Sequence, residues 1–486
     1  MKRLFTLLAV LVAFSLYGQK GTHSPYSIFG VGELNNQQYA AIAAMGGVSV
    51  ANTDSTIVNY ANPASYAYVH RYRPIFQLGL NGRFSQFITE SGTTNQRHFG
   101  LNQFQLGLPI KKRWGAAFGI KPYSFSGYTV TNLVIDSDGD TTQQFVNEGS
   151  GGISMVYLGV SALPIKTSKT KPKYFKTLYT ENGEQKERLD SMSVTRKHQL
   201  SLGFNANYLF GSAIRKRSFE YVSPILGWNS RVENSLRVSD VTLDLGLNYQ
   251  YSFISDSSGG SIAFGATYTP SRKLRAFQDL IAYSYGGSFY DGIAPAIVDT
   301  IQFIEDNEGN ILIPEAYKVG LEYRIGPNRI NTSVLRIGAD FQFQSWSKYD
   351  EQFDGSSYTN QLKDRMSIGL GLEWTPETVV MNRGNSTSFL GRLHYRLGFN
   401  YTQTELRILN NLDEYQNLDD YGMSFGLGIP VGVANRSNTN INFGAKFGKL
   451  GTAENGLIQE KYIGVFFGLS ITPGVGSYWF VKRKYK

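Results

Sequence analysis

The sequence predicts an all-β fold, a transmembrane antiparallel outer-membrane β-barrel of about fourteen strands. Three observations lead there. Apolar and polar residues alternate over stretches of about ten residues, the connections between stretches are short on one side and long on the other, and no segment is apolar enough for a spanning helix. Composition agrees: 52 Gly, 31 Tyr, 31 Phe and 5 Trp in 486 residues, with only 41% hydrophobic residues, suit many half-buried strands better than a helical bundle or a disordered polymer.

The first residues stand apart. Lys2 and Arg3 precede the apolar run 4–16, and Tyr17, Gly18 and Gln19 follow it, the pattern of a secretory signal peptide. Cleavage after Gly18 makes the signal residues 1–18. The sequence has no cysteine, which excludes a lipid anchor on Cys, disulfides and thiolate metal sites. Residues 19–73 show no sustained alternation, yet Phe29, Ile42, Met45, Val48, Ile57 and Val58 make them more apolar than disorder usually tolerates. We expect this segment to fill the lumen as a hatch, the alternative being a disordered periplasmic tail.

Residues 74–486 read as the barrel. Leu200, Leu202, Phe204, Ala206, Tyr208 and Phe210 are interleaved with Ser201, Gly203, Asn205 and Asn207. Comparable alternation runs through 241–253, 335–344 and 393–402, each long enough for a tilted strand to cross a bilayer. Further strands are expected to begin near Ile75, Phe99, Trp114, Gly151, Ile262, Ala316, Met366, Tyr421, Asn440 and Tyr462. Residues 262–285 are taken as one long strand, which keeps the count even, as termini on one side of the membrane require.

Connections at 109–113, 255–260, 326–329 and 430–438 are short, as periplasmic turns should be. Those at 131–150, 212–235, 286–314, 346–364 and 403–421 are long and fall on the opposite side. The Lys-rich segment 164–197 breaks the rule, because strand parity puts it in the periplasm; it reads as a functional insertion or a solvated loop.

With the apolar set facing lipid, the inward set holds Asp244, Lys318, Glu322, Arg324, Arg336, Asp340, His394, Arg396 and Lys446, charges that a wet lumen accepts and hydrocarbon does not. Gly203, Gly246, Gly320, Gly338, Gly398, Gly444 and Gly468 also face inward and leave room for a plug. The formal charge of +9 comes without a basic helix or a clustered stacking motif, so nucleic acid is not an expected partner. No G-x-S-x-G, H-E-x-x-H, P-loop or Rossmann pattern occurs. His394 and the Asp419-Asp420 pair are expected near opposite ends of the barrel, too far apart for one reaction. We therefore expect no enzyme, catalytic residue, cofactor or metal.

Met45-Gly46-Gly47, Asn62-Pro63-Ala64, Trp114-Gly115 leading to Lys121-Pro122-Tyr123, Pro314-Glu315-Ala316-Tyr317, and Asp340 followed by Trp346-Ser347-Lys348 together resemble the FadL-type family of outer-membrane transporters for long-chain fatty acids and aromatic hydrocarbons. The closing Tyr478-Trp479-Phe480 and Lys482-Arg483-Lys484 look like members from Bacteroidota. The resemblance implies fourteen strands, a lumenal hatch, and a kinked third strand that opens the wall sideways, a feature that Pro122 and Gly127 fit. Asn62 and Pro63 would then fix a turn of the hatch, with Phe29, Ile57 and Val58 along the ligand path. The function so implied is passive uptake of hydrophobic small molecules across a bacterial outer membrane. The second reading is a non-transporting barrel that serves as subunit or shuttle of an outer-membrane secretion or assembly complex, with outer-membrane or periplasmic protein partners.

Overall fold

The computed structural model describes residues 21–35, 38–69, 73–181, 184–222, 227–255, 259–289, 295–326, 333–354, 356–358, 362–377, 388–431 and 438–473. The signal segment and the Tyr478-Trp479-Phe480 close lie outside them.

Fourteen antiparallel strands form the wall: β1 (Ile75–Thr89), β2 (Gly92–Lys111), β3 (Trp114–Phe125), β4 (Thr141–Glu181), β5 (Glu184–Tyr221), β6 (Asn229–Ile254), β7 (Gly259–Thr269), β8 (Ala316–Gly326), β9 (Val334–Gln344), β10 (Arg365–Thr375), β11 (His394–Leu409), β12 (Tyr415–Val431), β13 (Asn438–Leu450) and β14 (Gln459–Thr472). Each pairs with its sequence neighbour, and β1 pairs with β14 from Phe76↔Ile471 to Ile88↔Gln459, so the sheet closes on itself. Closure removes the two free edge strands that an open sheet would present to lipid, which is why a barrel can cross a membrane at all.

The alternation sorts side chains as the sequence requires. Leu202, Phe204, Leu243, Leu245, Ile262, Phe264, Leu321, Ile337, Leu370, Phe399, Phe425 and Ile463 are all exposed on the outside, whereas Asn205, Asn248, Glu322, Arg336 and Asn442 are buried within. An apolar belt around every strand has no counterpart on a soluble protein. Its natural solvent is hydrocarbon.

Three expectations need correction. Residues 262–285 are not one strand: β7 ends at Thr269, and a separate strand Arg272–Gly286 begins after Pro270 and Ser271. Both run along β6, but the register advances by one residue between Leu245↔Tyr268 and Val238↔Ala276. Pro270 cannot donate to the ladder, and the slip falls there. The stretches expected as long loops also carry much strand. β5 and β6 stay paired to Phe219↔Ser230, Arg272–Gly286 pairs with Ala296–Ile313, and Tyr128–Ile135 pairs with β4. Away from lipid these ribbons keep their ladders without needing an apolar face, so periodicity missed them. Finally, 164–197 is not a loop: β4 and β5 remain paired from Lys166↔Gln199 to Glu181↔Glu184 and form a two-stranded ribbon projecting from the barrel end that carries Ile75 and Thr472.

At the opposite, loop end, Trp346, Tyr349, Ile311, Leu274, Ala276, Val238 and Leu209 close over the lumen in one apolar cluster that also takes in Val31 from the N-terminal segment.

Candidate functional site: a filled lumen and an opening in its wall

The N-terminal segment lies against the inner wall, and glycine is what admits it. A Cβ on Gly468 would meet the Tyr39 ring at 2.7 Å, on Gly398 the Gly46 nitrogen at 1.9 Å, on Gly338 the Val48 side chain at 2.6 Å, on Gly265 the Val50 carbonyl at 2.1 Å, on Gly203 the Pro63 carbonyl at 2.6 Å and on Gly115 the Tyr66 carbonyl at 1.9 Å. These glycines sit on strands spread around the barrel. Several pair directly, as Gly203↔Gly246, Gly338↔Gly371 and Gly371↔Gly398 do, so they form a belt against which residues 39–66 press.

Polar groups fix that segment in place. One Asp340 oxygen accepts the Ser49 and Val50 N–H groups at 2.6 and 2.9 Å, bonds strengthened by the carboxylate charge. Asn62 accepts from the Ala64 N–H and donates to the carbonyls of Val50 and Leu247, which ties the turn that starts Pro63–Tyr68 to β6. Tyr39 takes a bond from Asn442 at 3.2 Å, and Tyr60 donates to Asp244 at 3.0 Å. Toward the end carrying Ile75 and Thr472, Arg336 bridges Glu322 at 2.8 Å and Glu373 at 3.1 Å, Arg396 pairs with Glu373 at 2.6 Å, and Asp54 approaches Arg336 at 3.6 Å. Buried charges of this kind persist only when each is paired.

The wall is not sealed throughout. β2 and β3 are joined only from Phe104↔Ile120 to Lys111↔Trp114. Above that rung β3 turns to the N-terminal segment instead, pairing Phe125 with Glu33 and Ser124 with Leu34, while the Asn35 N–H donates to the Tyr123 carbonyl at 2.8 Å. The upper part of β2 keeps its ladder to β1. On its other side, among the described residues, no strand pairs with it.

A cavity of about 390 Å³ lies between the N-terminal segment and the cluster at the loop end, and its lining reaches the unpaired stretch at His98, Asn102, Pro122 and Phe125. Arg83, Lys121, Lys318, Arg365 and Lys446 line it together with Glu33, Asp244, Asp340, Glu405 and Asp420, so the two signs balance. Phe125, Tyr39 and Leu406 supply apolar surface. Such a chamber favours a molecule with both an apolar body and a polar end.

The residues singled out from sequence distribute as follows. Val58 lines this cavity, and Phe29 lines a smaller one of about 360 Å³ at the loop end with Tyr26 and Tyr128. Ile57 packs on Tyr39, Ala41 and Ile42, whereas Asn62 and Pro63 press on the wall at Gly246 and Gly203. Pro122 pairs with Ser154 of β4, and its carbonyl accepts from the Asn35 side chain at 3.0 Å. The Gly127 N–H donates to Ser27 Oγ at 3.1 Å. Lys318, Glu322, Arg336, Asp340 and Arg396 lie on the inner side of the wall, while Arg324 shares their parity but is exposed at the barrel rim. His394 bonds Thr375 at 2.8 Å, and Asp420 pairs with Lys446 and Tyr462. Sequence reading missed Asn35 and Lys121, and Lys121 stood beside the Pro122 already singled out.

Fold and lumen together define a transmembrane β-barrel of the outer-membrane type whose interior its own N-terminal segment occupies. Residues 1–170 and 162–486 match the model of the BamG family, so the chain belongs to the BamG family. No curated protein matches the sequence. Among solved structures, a Pseudomonas aeruginosa FadL homologue aligns at TM-score 0.48 with 12% identity over 91% of this chain and 99% of that one. The Ralstonia pickettii toluene transporter TbuX aligns at 0.46 with 14% identity over 90% and 98%, and the Pseudomonas putida toluene transporter TodX at 0.44 with 14% identity over 92% and 100%.

Proposed function

We propose that the protein is a passive conduit of the bacterial outer membrane for hydrophobic small molecules with a polar end, fatty acids or aromatic compounds, with the end carrying Ile75 and Thr472 in the periplasm and residues 19–73 acting as a hatch. The observation that carries this reading is the wall: β2 and β3 part above Phe104↔Ile120, and the cavity reaches that parting. Backbone groups facing hydrocarbon without partners cost several kcal/mol each, so an opening held by the hatch residues Glu33 and Leu34 implies a use for it. Molecules would enter at the loop end, rest among Tyr39, Val58 and Phe125, and leave sideways into the membrane. Replacing Pro122 and Gly127 by Val restores a donor on β3 and stiffens the connection after it. Uptake of a hydrophobic substrate by the variant should fall while heat-modifiable migration on gels stays normal, and unchanged uptake would sink the proposal.

One observation favours the second reading, a barrel subunit of an outer-membrane assembly or secretion complex: the β4–β5 ribbon extends well past the barrel. Purification from native membranes without added ligand separates the two, bound lipid or fatty acid favouring transport and stoichiometric co-purifying proteins favouring the complex.

A further inference from the structure

The ribbon of β4 and β5 continues for sixteen rungs, from Lys166↔Gln199 to Glu181↔Glu184, a reach of about 50 Å at strand rise. Its neighbours do not follow it. β3 ends at Trp114↔Ala162 and β6 ends at Ile254↔Thr195, so among the described residues no third strand pairs with residues 184–194 of β5 or with the ribbon part of β4. A two-stranded ribbon is marginal in water, and a third strand changes that.

The two open edges differ. β4 carries Pro164 and Pro172 with Lys166, Lys169, Lys171, Lys173 and Lys176, and edge prolines and lysines resist strand addition. Residues 184–194 contain no proline. Pro172 stands opposite Ser193. Having no N–H for β5, Pro172 belongs to a rung whose backbone groups point away from each other, so the Ser193 N–H faces the open edge of β5. That edge is an unblocked template.

Charge selects what would fill it. Arg196 lies opposite Lys169, and Val194 and Met192 lie opposite Lys171 and Lys173, so all six share one face, with Met192 and Val194 half-buried and the four cations at least partly exposed. Among the described residues no ion pair involves Lys169, Lys171, Lys173 or Arg196, whereas Lys176 pairs with Glu187 at 2.6 Å. We propose that residues 184–194 of β5 accept a strand from a partner protein segment in which acidic residues alternate with apolar ones. Backbone bonds to the edge would supply affinity, and the cation column would supply selectivity. The proposal is independent of whether the lumen conducts.

The test uses the full chain in detergent and three synthetic eleven-residue peptides in which Val alternates with Glu, Gln or Lys. The Glu peptide should bind at least about tenfold more tightly than the Gln peptide, lose affinity as salt rises, and slow hydrogen exchange at the Ser191 and Ser193 amides. Ser193→Pro removes an outward donor and should abolish that protection while leaving heat-modifiable migration intact. The triple change Lys169→Glu, Lys171→Glu, Lys173→Glu should reverse the preference toward the Lys peptide. Equal binding of all three peptides, or protection untouched by Ser193→Pro, overturns the proposal. So does binding to anionic phosphatidylglycerol vesicles that needs the three lysines while the Glu peptide fails to bind, which would give the column to a lipid surface.

Discussion

Gly398→Ala is the sharpest probe of the lumen. The added Cβ would sit 1.9 Å from the Gly46 nitrogen and 2.4 Å from the Met45 carbonyl carbon, about 1.5 Å short of ordinary contact, an overpacking that costs about 1–3 kcal/mol. Either the wall or the N-terminal segment must give. Gly398 is laddered on both sides, to Gly371 and Ser424, and breaking wall bonds in a bilayer costs several kcal/mol each. The segment loses less, chiefly the bond from the Gly46 N–H to Ser424 Oγ at 3.1 Å, worth about 1 kcal/mol. It should therefore retreat while the barrel stays closed. The sequence is free of cysteine, so Ala51→Cys, at a position with no exposed surface beside Gly265, reports that retreat to a thiol reagent. A loss of 1–2 kcal/mol should raise the labelling rate roughly five- to thirtyfold. Gly100→Ala, where a Cβ would meet nothing within 4 Å, is the control. Equal labelling in the two backgrounds, or loss of heat-modifiable migration in Gly398→Ala alone, refutes the reasoning.

Other outcomes follow from the same contacts. Asp340→Asn keeps the shape but removes the charge that holds the Ser49 and Val50 N–H groups; the same thiol assay should register a loss of about 1–3 kcal/mol. Arg336→Met leaves Glu322 without its buried partner and should lower the melting temperature in detergent by the equivalent of about 3–5 kcal/mol, while Glu322→Gln added to it should restore part of that loss. For orientation, cysteines placed at Lys171 and Asp299, both exposed, should label differently with an impermeant reagent: Asp299→Cys on intact cells, Lys171→Cys only after the outer membrane is permeabilised. The reverse result would invert the barrel.

The wall was legible because lipid imposes a period of two. Leu202 and Phe204 face out and Asn205 and Asn207 face in because nothing else satisfies both solvents, so every strand start falls within reach of the element observed. Where lipid ends, so does that signal. Lys169 and Thr170 lie in a strand as regular as Leu243 and Leu245, but both are exposed beyond the lipid belt, and there the side chains carry no period. Pro270 lies inside the stretch read as one strand; sequence did not show that the chain breaks there and stays on β6 one residue out of register. The inward glycines left room beside the wall, yet which residue met which glycine depended on the path of 39–66, and no local pattern encodes that path. The joining of Glu33 and Leu34 to β3 was out of reach for the same reason, since two residues make no alternation.

The contrast between wall and filling also bears on motion. Wall rungs face hydrocarbon, where a broken backbone bond has no replacement, whereas the Glu33↔Phe125 and Leu34↔Ser124 rungs lie beside a cavity lined by ionised groups, where water can take over a lost partner. A wall rung therefore costs several kcal/mol to open, and each of these two rungs about 1 kcal/mol. Movement at the opening between β2 and β3 should come from residues 33–35 and leave the strands still. Glu33 adds an ionic tie to Arg83 at 3.3 Å, and Arg83 is itself held by Glu460 at 2.9 Å. Glu33→Gln should then loosen residues 33–35 and leave β1 and β14 unchanged. Hydrogen exchange read by mass spectrometry distinguishes the cases: faster exchange in peptides covering 33–35 and 123–125, with β1 and β14 as slow as in the parent, is expected, and faster exchange spreading through β1 would show that the wall itself depends on this tie.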